Sequence, residues 1–146
     1  MVIHLEPRRC VALPNYLPTE GQCKCGCGQQ LRDDFVLLLQ ALIHRLSRNF
    51  AAQVRHKMTS GARCEPHNKA EGGAKYSQHI WGRAADGTFE FFDLKKKTWV
   101  QISNDMVAQH AIQIGLFGGV GWRSYQSEGK NLVHLDSRDA FPAVTW

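Results

Sequence analysis

From Asp33 to Phe50 the sequence reads DDFVLLLQALIHRLSRNF, and Phe35, Leu38, Leu39, Leu42, Ile43, Leu46 and Phe50 recur at spacings of three and four. That period marks one face of an α-helix. So apolar a face has to be buried, and the stripe is therefore core packing. Asp33 and Asp34 stand where a helix N-terminus favours carboxylates. The spacing predicts a helix over residues 33–50, with His44 and Arg45 on its solvated flank and without a function of their own.

Residues 1–22 are expected to be irregular, because Pro7, Pro14 and Pro18 break any long element. Thr88–Asp93 and Thr98–Ile102 read as strands joined by the turn Lys95–Lys97. Asn104 or Asp105 can cap a helix running to Ile114, with Met106, Val107, Ala111 and Ile114 on one face. GGVGW and NLVHLD read as two short closing strands. There is no internal repeat and no low-complexity tract.

At 146 residues the chain is most simply one domain, 1–146, with an irregular segment 1–30 ahead of a core 31–138. No apolar run approaches the roughly 18 residues of a membrane span. The opening MVIHLEPRRC has no apolar stretch of the secretory kind, so a chain made in the cytoplasm without a signal peptide is expected. The formal net charge of +5 favours an anionic partner such as nucleic acid or a wall polymer. A nucleic-acid partner is not expected, since the chain lacks a basic helix and ligand pairs at finger spacing.

The five cysteines are Cys10, Cys23, Cys25, Cys27 and Cys64, an odd number that forbids complete internal pairing. In a reducing compartment clustered cysteines read as metal ligands or free thiols before disulfides. In an extended CKCGCG, Cys23, Cys25 and Cys27 share a face, and Gly26 allows the bend that would converge them. Cys64 lies in RCEPH, with His67 three residues on. A Cys-x-x-His with a Cys-x-Cys offers a closed structural zinc site between the N-terminal loop and the loop after the helix. A disulfide from Cys64 to one of the three, or free thiols, are the other open readings, as is His67 as an ordinary helix-start residue.

Residues 54–86, VRHKMTSGARCEPHNKAEGGAKYSQHIWGRAAD, are polar, glycine-rich and dense in reactive side chains, more than a scaffold requires. His79 and Asp86 are seven apart, and His134 offers a third ligand from a later strand. Two histidines and a carboxylate leave a fourth position for water, which zinc brings to a pKa of about 7 while polarising a carbonyl. Spacing alone does not separate this set from a hydrogen-bonded loop histidine and a turn aspartate.

The motifs go further. Ser77, His79, Gly82, Ala84 and Asp86 form Ser-x-His-x-x-Gly-x-Ala-x-Asp. Ser60, Gly61 and Arg63 form Ser-Gly-x-Arg, Gly118, Gly119 and Gly121 form Gly-Gly-x-Gly, and His134 and Asp136 form His-x-Asp. In this order, over about residues 54–138, they resemble the zinc D-Ala-D-Ala carboxypeptidase family, peptidoglycan peptidases that share a fold with the hedgehog signalling domain. The resemblance implies an α+β fold, a small antiparallel sheet flanked by helices. It implies one catalytic zinc held by His79, Asp86 and His134, with a second, structural ion left open by the cysteines. Arg63 would pair with a substrate carboxylate or the oxyanion, and Ser77 would bond near metal or substrate. The other reading of Ser77 is a loop-capping hydroxyl.

Several family members carry a proton acceptor two or three residues before the last histidine. Here those positions are Leu132 and Asn131, so Asp136 is the expected base or water-orienting group, with second-layer support of the metal site as its other reading and Glu90 as a further carboxylate. Trp81, Trp122 and Tyr125 are expected in the cleft walls or the core. The implied reaction is hydrolysis of a peptide bond in peptidoglycan stem peptides or crossbridges, by a carboxypeptidase or endopeptidase. A monomer acting on the bacterial wall after phage lysis is the expected context. The competing function is a non-catalytic zinc-containing module on the same fold.

Overall fold

The expected helix forms with its expected bounds, α1 at Asp33–Phe50, in a computed structural model that describes residues 13–146. Pro7 and Cys10 lie outside the described residues. Phe35, Val36, Leu39, Leu42, Ile43 and Leu46 are buried. Burial of a side chain of this kind contributes about 1.5–3 kcal/mol. Arg45 is not merely solvated: its guanidinium donates to His110 Nδ1 at 2.9 Å and to Gln113 Oε1 at 2.8 Å, tying α1 to a later helix.

The remaining elements are β1 (Val54–Ser60), α2 (Glu65–Ala70), a 3-10 turn (Gln78–Trp81), β2 (Ala84–Asp93) and β3 (Thr98–Gln101). Then come α3 (Asn104–Ile114), β4 (Gly119–Gly121), α4 (Arg123–Ser127), β5 (Val133–Asp136) and β6 (Val144–Thr145). The fold is mixed α+β, as expected. The polar stretch 54–86 is less of a loop than its composition implies, since its first seven residues are a strand. In α3 the cap is Ser103, whose hydroxyl accepts from Met106 N at 3.3 Å, rather than Asn104 or Asp105. Its buried residues are Val107, Ala108 and Ala111, while Met106 is exposed.

Among the described residues six strands form one sheet in the order β1-β2-β5-β4-β6, with β3 paired to the outer half of β2. All pairs are antiparallel except β4 with β6. The sheet therefore runs past residue 138, where the core was expected to end. Successive side chains of a strand face opposite sides. On β5, Val133 and Leu135 enter the hydrophobic core with α1 and α3, and His134 and Asp136 take the other face. Asp86 stands directly opposite His134 across the β2–β5 ladder.

Parity breaks at one place, between Met58 and Ser60, where the β1–β2 register shifts. An extra residue in one strand re-aims the side chains beyond it. Ser60 thereby pairs with Asp86 instead of continuing on the core face with Val54 and His56.

His56 is the buried polar residue of that core face. Its ring stacks on Phe89 with centroids 4.2 Å apart, and its Nδ1 meets the Tyr16 hydroxyl at 2.9 Å. Burial drives its pKa down to about 3, against a weaker opposing pull from the Asp86 charge. An unfolded histidine takes up its proton near pH 6.5. Between these values the unfolded chain binds more protons, so stability is present above pH 6.5 and is lost as pH falls toward 3. Equilibrium unfolding between pH 6.5 and 4.5 should show stability falling by up to about 1.4 kcal/mol per pH unit from this group. The slope should flatten in His56→Gln. An equal slope in both proteins would show that His56 does not carry it.

Candidate metal centre and cleft

His79 is placed by a short local device. Ser77 caps the 3-10 turn, its hydroxyl accepting from His79 N at 3.3 Å, and Gly82 ends the turn at φ +67°. The His79 ring is buried, with Nδ1 2.7 Å from the carbonyl oxygen of Gly61. A carbonyl only accepts, so the ring proton sits on Nδ1 and the Nε2 lone pair points inward. That Nε2 lies 3.2 Å from Asp86 Oδ2.

His134 is oriented in the same manner with its nitrogens exchanged. Nε2 donates to Asp136 Oδ2 at 2.9 Å, which leaves Nδ1, 2.7 Å from Asp86 Oδ1, as the atom a metal would take once its proton has left. Burial works to raise the Asp86 carboxyl, but hydrogen bonds with His134 and His79 outweigh it and hold it well below the usual carboxylate range. Burial likewise works to lower His134, and the bonds to Asp136 and Asp86 win, raising it. With both rings neutral, two imidazole lone pairs and an ionised carboxylate converge, their ligand atoms all within 4.8 Å of one another. Such a set can hold a metal ion in place of the ring protons, and its two-nitrogen, one-oxygen chemistry suits zinc.

The centre opens into a cleft of about 760 Å³. Arg63 lines it with its guanidinium fixed on three sides. Nε donates to Ser60 Oγ at 3.0 Å, Nη1 to Asn68 Oδ1 at 3.3 Å and Nη2 to Asp86 Oδ2 at 3.4 Å. This explains the Ser-Gly-x-Arg element: the register shift in β1 brings Ser60 to the face where Arg63 needs an acceptor. Asn68, buried and bonded to the carbonyl of Ala74 at 2.9 Å, is a brace that no motif in the sequence signals.

Asp136 lies behind His134 and not in the cleft lining. It is fully buried. Its Oδ1 accepts from Arg138 N at 3.0 Å and Arg138 Nε at 2.8 Å, and its Oδ2 accepts from His134 and Arg138. Against burial, His134 and Arg138 hold its carboxyl well below the usual range. With its proton-accepting atoms turned away from the cleft, the placement expected of a base is not met. Glu90 is elsewhere as well, paired with Arg55 at 2.6 Å and Lys57 at 3.5 Å. Asn131 bonds Gln101 and Asn104, and Leu132 only lines the cleft.

Of the three aromatics expected in the walls or the core, Tyr125 lines the cleft, with burial first and the Asp86 charge second raising its phenol. Trp122 is buried and donates to Asp105, and Trp81 is exposed and outside the lining. Beside Tyr125 the wall is continued by Trp146, whose ring centroid is 5.3 Å from that of His134. No motif announces it. The Gly-Gly-x-Gly element makes its room, for a Cβ on Gly121 would strike the Trp146 ring and one on Gly119 the Asp136 carboxylate. Lys75, Lys130 and Arg138 join Arg63 as the cationic lining, against Glu71 and Asp86.

The cysteines form a separate cluster. Cys23, Cys25, Cys27 and Cys64 converge, none in a disulfide, while His67 stands apart with Nε2 3.9 Å from Glu71. Among the described residues no helix is long and apolar enough to cross a membrane.

No curated protein matches the chain. The sequence model of the Peptidase M15 family matches residues 15–118, well over half the chain, spanning His79, Asp86 and Arg63 and stopping short of β5. The chain belongs to that family, the zinc D-Ala-D-Ala carboxypeptidases.

Proposed function

We propose that the protein hydrolyses peptide bonds in bacterial peptidoglycan, with His79 Nε2, Asp86 and His134 Nδ1 as the protein ligands of one zinc ion. The observation that carries this reading is the convergence of three candidate ligand atoms in the lining of an open cleft. A zinc ion held there supplies a Lewis acid that polarises a carbonyl and makes water a stronger acid.

The chain's own groups supply the rest. Arg63, held rigid by Ser60, Asn68 and Asp86, presents its remaining N–H groups to the carbonyl oxygen or a substrate carboxylate. The Tyr125 phenol stays protonated through neutral pH and can donate to the same oxygen. Ser77 serves as the cap that aims His79, the second of its expected roles. Asp136 holds the His134 ring and its tautomer, and so positions a ligand instead of taking a proton. Glu71 is the one carboxylate besides Asp86 in the described lining, which makes it the candidate for proton transfer. The cationic excess of the cleft suits stem peptides, which carry free carboxylates.

A second reading, a zinc-containing binding module without turnover, draws on the side chains at Leu132 and Asn131, neither of which takes a proton. Purified muropeptides separate the two. Wild type should release terminal D-alanine or split crossbridges, detected by mass spectrometry, and chelation should stop it. Intact zinc content with no cleavage of any muropeptide would select the binding module.

A further inference from the structure

We propose that Cys23, Cys25, Cys27 and Cys64 form a second, closed metal site that takes one zinc ion through four thiolates and clasps the entry loop to the turn bearing Arg63. The sulfurs are already spaced for it. Cys23 and Cys25 are 3.4 Å apart, Cys25 and Cys64 3.4 Å, and Cys23 and Cys64 3.8 Å. A tetrahedron with zinc–sulfur bonds of about 2.3 Å has edges of about 3.8 Å. A covalent sulfur–sulfur bond is about 2.05 Å, far shorter than any of these contacts. Four soft ligands in this shape select zinc over the oxygen-seeking cations.

The loop backbone is formed for convergence. Alternate residues of an extended strand would lie about 6.6 Å apart along the chain. Instead Gly26 and Gly28 take φ of +81° and +86°, and Gly26 N closes a turn onto Cys23 O at 3.3 Å. A Cβ on either glycine would meet nothing within 4 Å, so the left-handed backbone, not crowding, is what demands glycine there. Cys23 Sγ also accepts from the backbone N–H of Cys64 at 3.3 Å, a bond that favours a thiolate sulfur. On binding, each thiol gives its proton to solvent.

The clasp bears on the catalytic cleft without belonging to it. Around it the loop lies on the β1 exit, with Ala62 N donating to Gly21 O at 2.7 Å and Lys24 Nζ donating to Thr59 O. Cys64 is the next residue after Arg63, whose backbone N–H donates to His79 O at 3.0 Å. Closing the four-sulfur site fixes the turn from which both Arg63 and the Gly61 carbonyl reach the metal centre.

The test is zinc counting with sulfur detection on the full chain, purified under reducing conditions from zinc-supplemented medium. Wild type should hold two zinc ions per chain, and His79→Ala should keep one. X-ray absorption at the zinc edge of His79→Ala should then report four sulfur neighbours at about 2.3 Å. Cys25→Ser/Cys64→Ser should lose one equivalent and melt at lower temperature. Because that variant can fail to fold, the measurement on His79→Ala decides. Nitrogen and oxygen neighbours alone, no zinc in His79→Ala, or a Cys64 disulfide in non-reducing peptide maps would overturn the proposal. The sulfur count does not depend on turnover, so failure of the peptidase reading would leave it standing.

Discussion

His79→Ala is expected to leave the chain folded and abolish peptide hydrolysis. The substitution removes one of three ligand atoms, and two ligands do not hold a catalytic zinc. Loss of the ion forfeits several kcal/mol of transition-state stabilisation, and each 1.4 kcal/mol is tenfold in rate. The expected fall in kcat is at least about a thousandfold, with the far-ultraviolet circular dichroism unchanged. The fold survives because His79 lies outside the main core cluster and its ring is tied to Gly61 O and to Asp86 of the metal centre itself. Asp86→Asn should behave alike in turnover, for an amide puts a weaker ligand between the two rings. Cleavage of muropeptides by either variant at the wild-type rate would refute the assignment of the metal centre.

Asp136→Ala is expected to weaken zinc binding by about 10–100-fold, the usual cost of losing a partner that orients a histidine ligand. It also strips Arg138 and His134 of a shared buried carboxylate. Breaking a buried pair from one side costs about 3–5 kcal/mol, and the partial exposure of Arg138 puts this case at the low end. Asp136→Asn separates positioning from proton transfer. Its amide oxygen still accepts from His134 Nε2, so zinc content and most turnover should return at saturating zinc. If Asp136→Asn kept its zinc but lost turnover as completely as Asp136→Ala, Asp136 would be the base after all. Gly119→Ala approaches the same contact from β4, since its added methyl meets the Asp136 carboxylate, and it should lower zinc affinity in the same direction.

Of the candidate ligands, His79 and Asp86 are legible in the sequence because one short motif carries both, whereas His134 joins them only through the family resemblance. Ser77, the 3-10 turn, Gly82 and Asp86 lie within ten residues, and Ser77 and Gly82 together set the ring of His79. Asp136 is harder to place, because strand periodicity says only that it shares a side with His134. Which nitrogen it meets, and whether it faces the cleft, depends on Gly119 lying against it on one flank and Ala84 on the other. Tyr125 can be named as a wall residue from the sequence, whereas Trp146 cannot. Its place comes from β6 pairing parallel to β4, a two-residue contact with no pattern of its own.

The amino-acid order by itself determined α1, the mixed helix-and-strand character, and the three residues of the candidate metal centre. The helix and strands come from periods of 3.6 and 2, and the three residues from short motifs read through their resemblance to the family. Only the tertiary structure decided which of their atoms converge, that Asp136 lies behind His134 and does not face the cleft, and that His67 stands outside the four cysteines. Each of those depends on the register of β2, β4 and β5 or on the fit of the entry loop against the β1 exit. Such pairings join residues tens of positions apart, and their energies lie in contacts that no local spacing records.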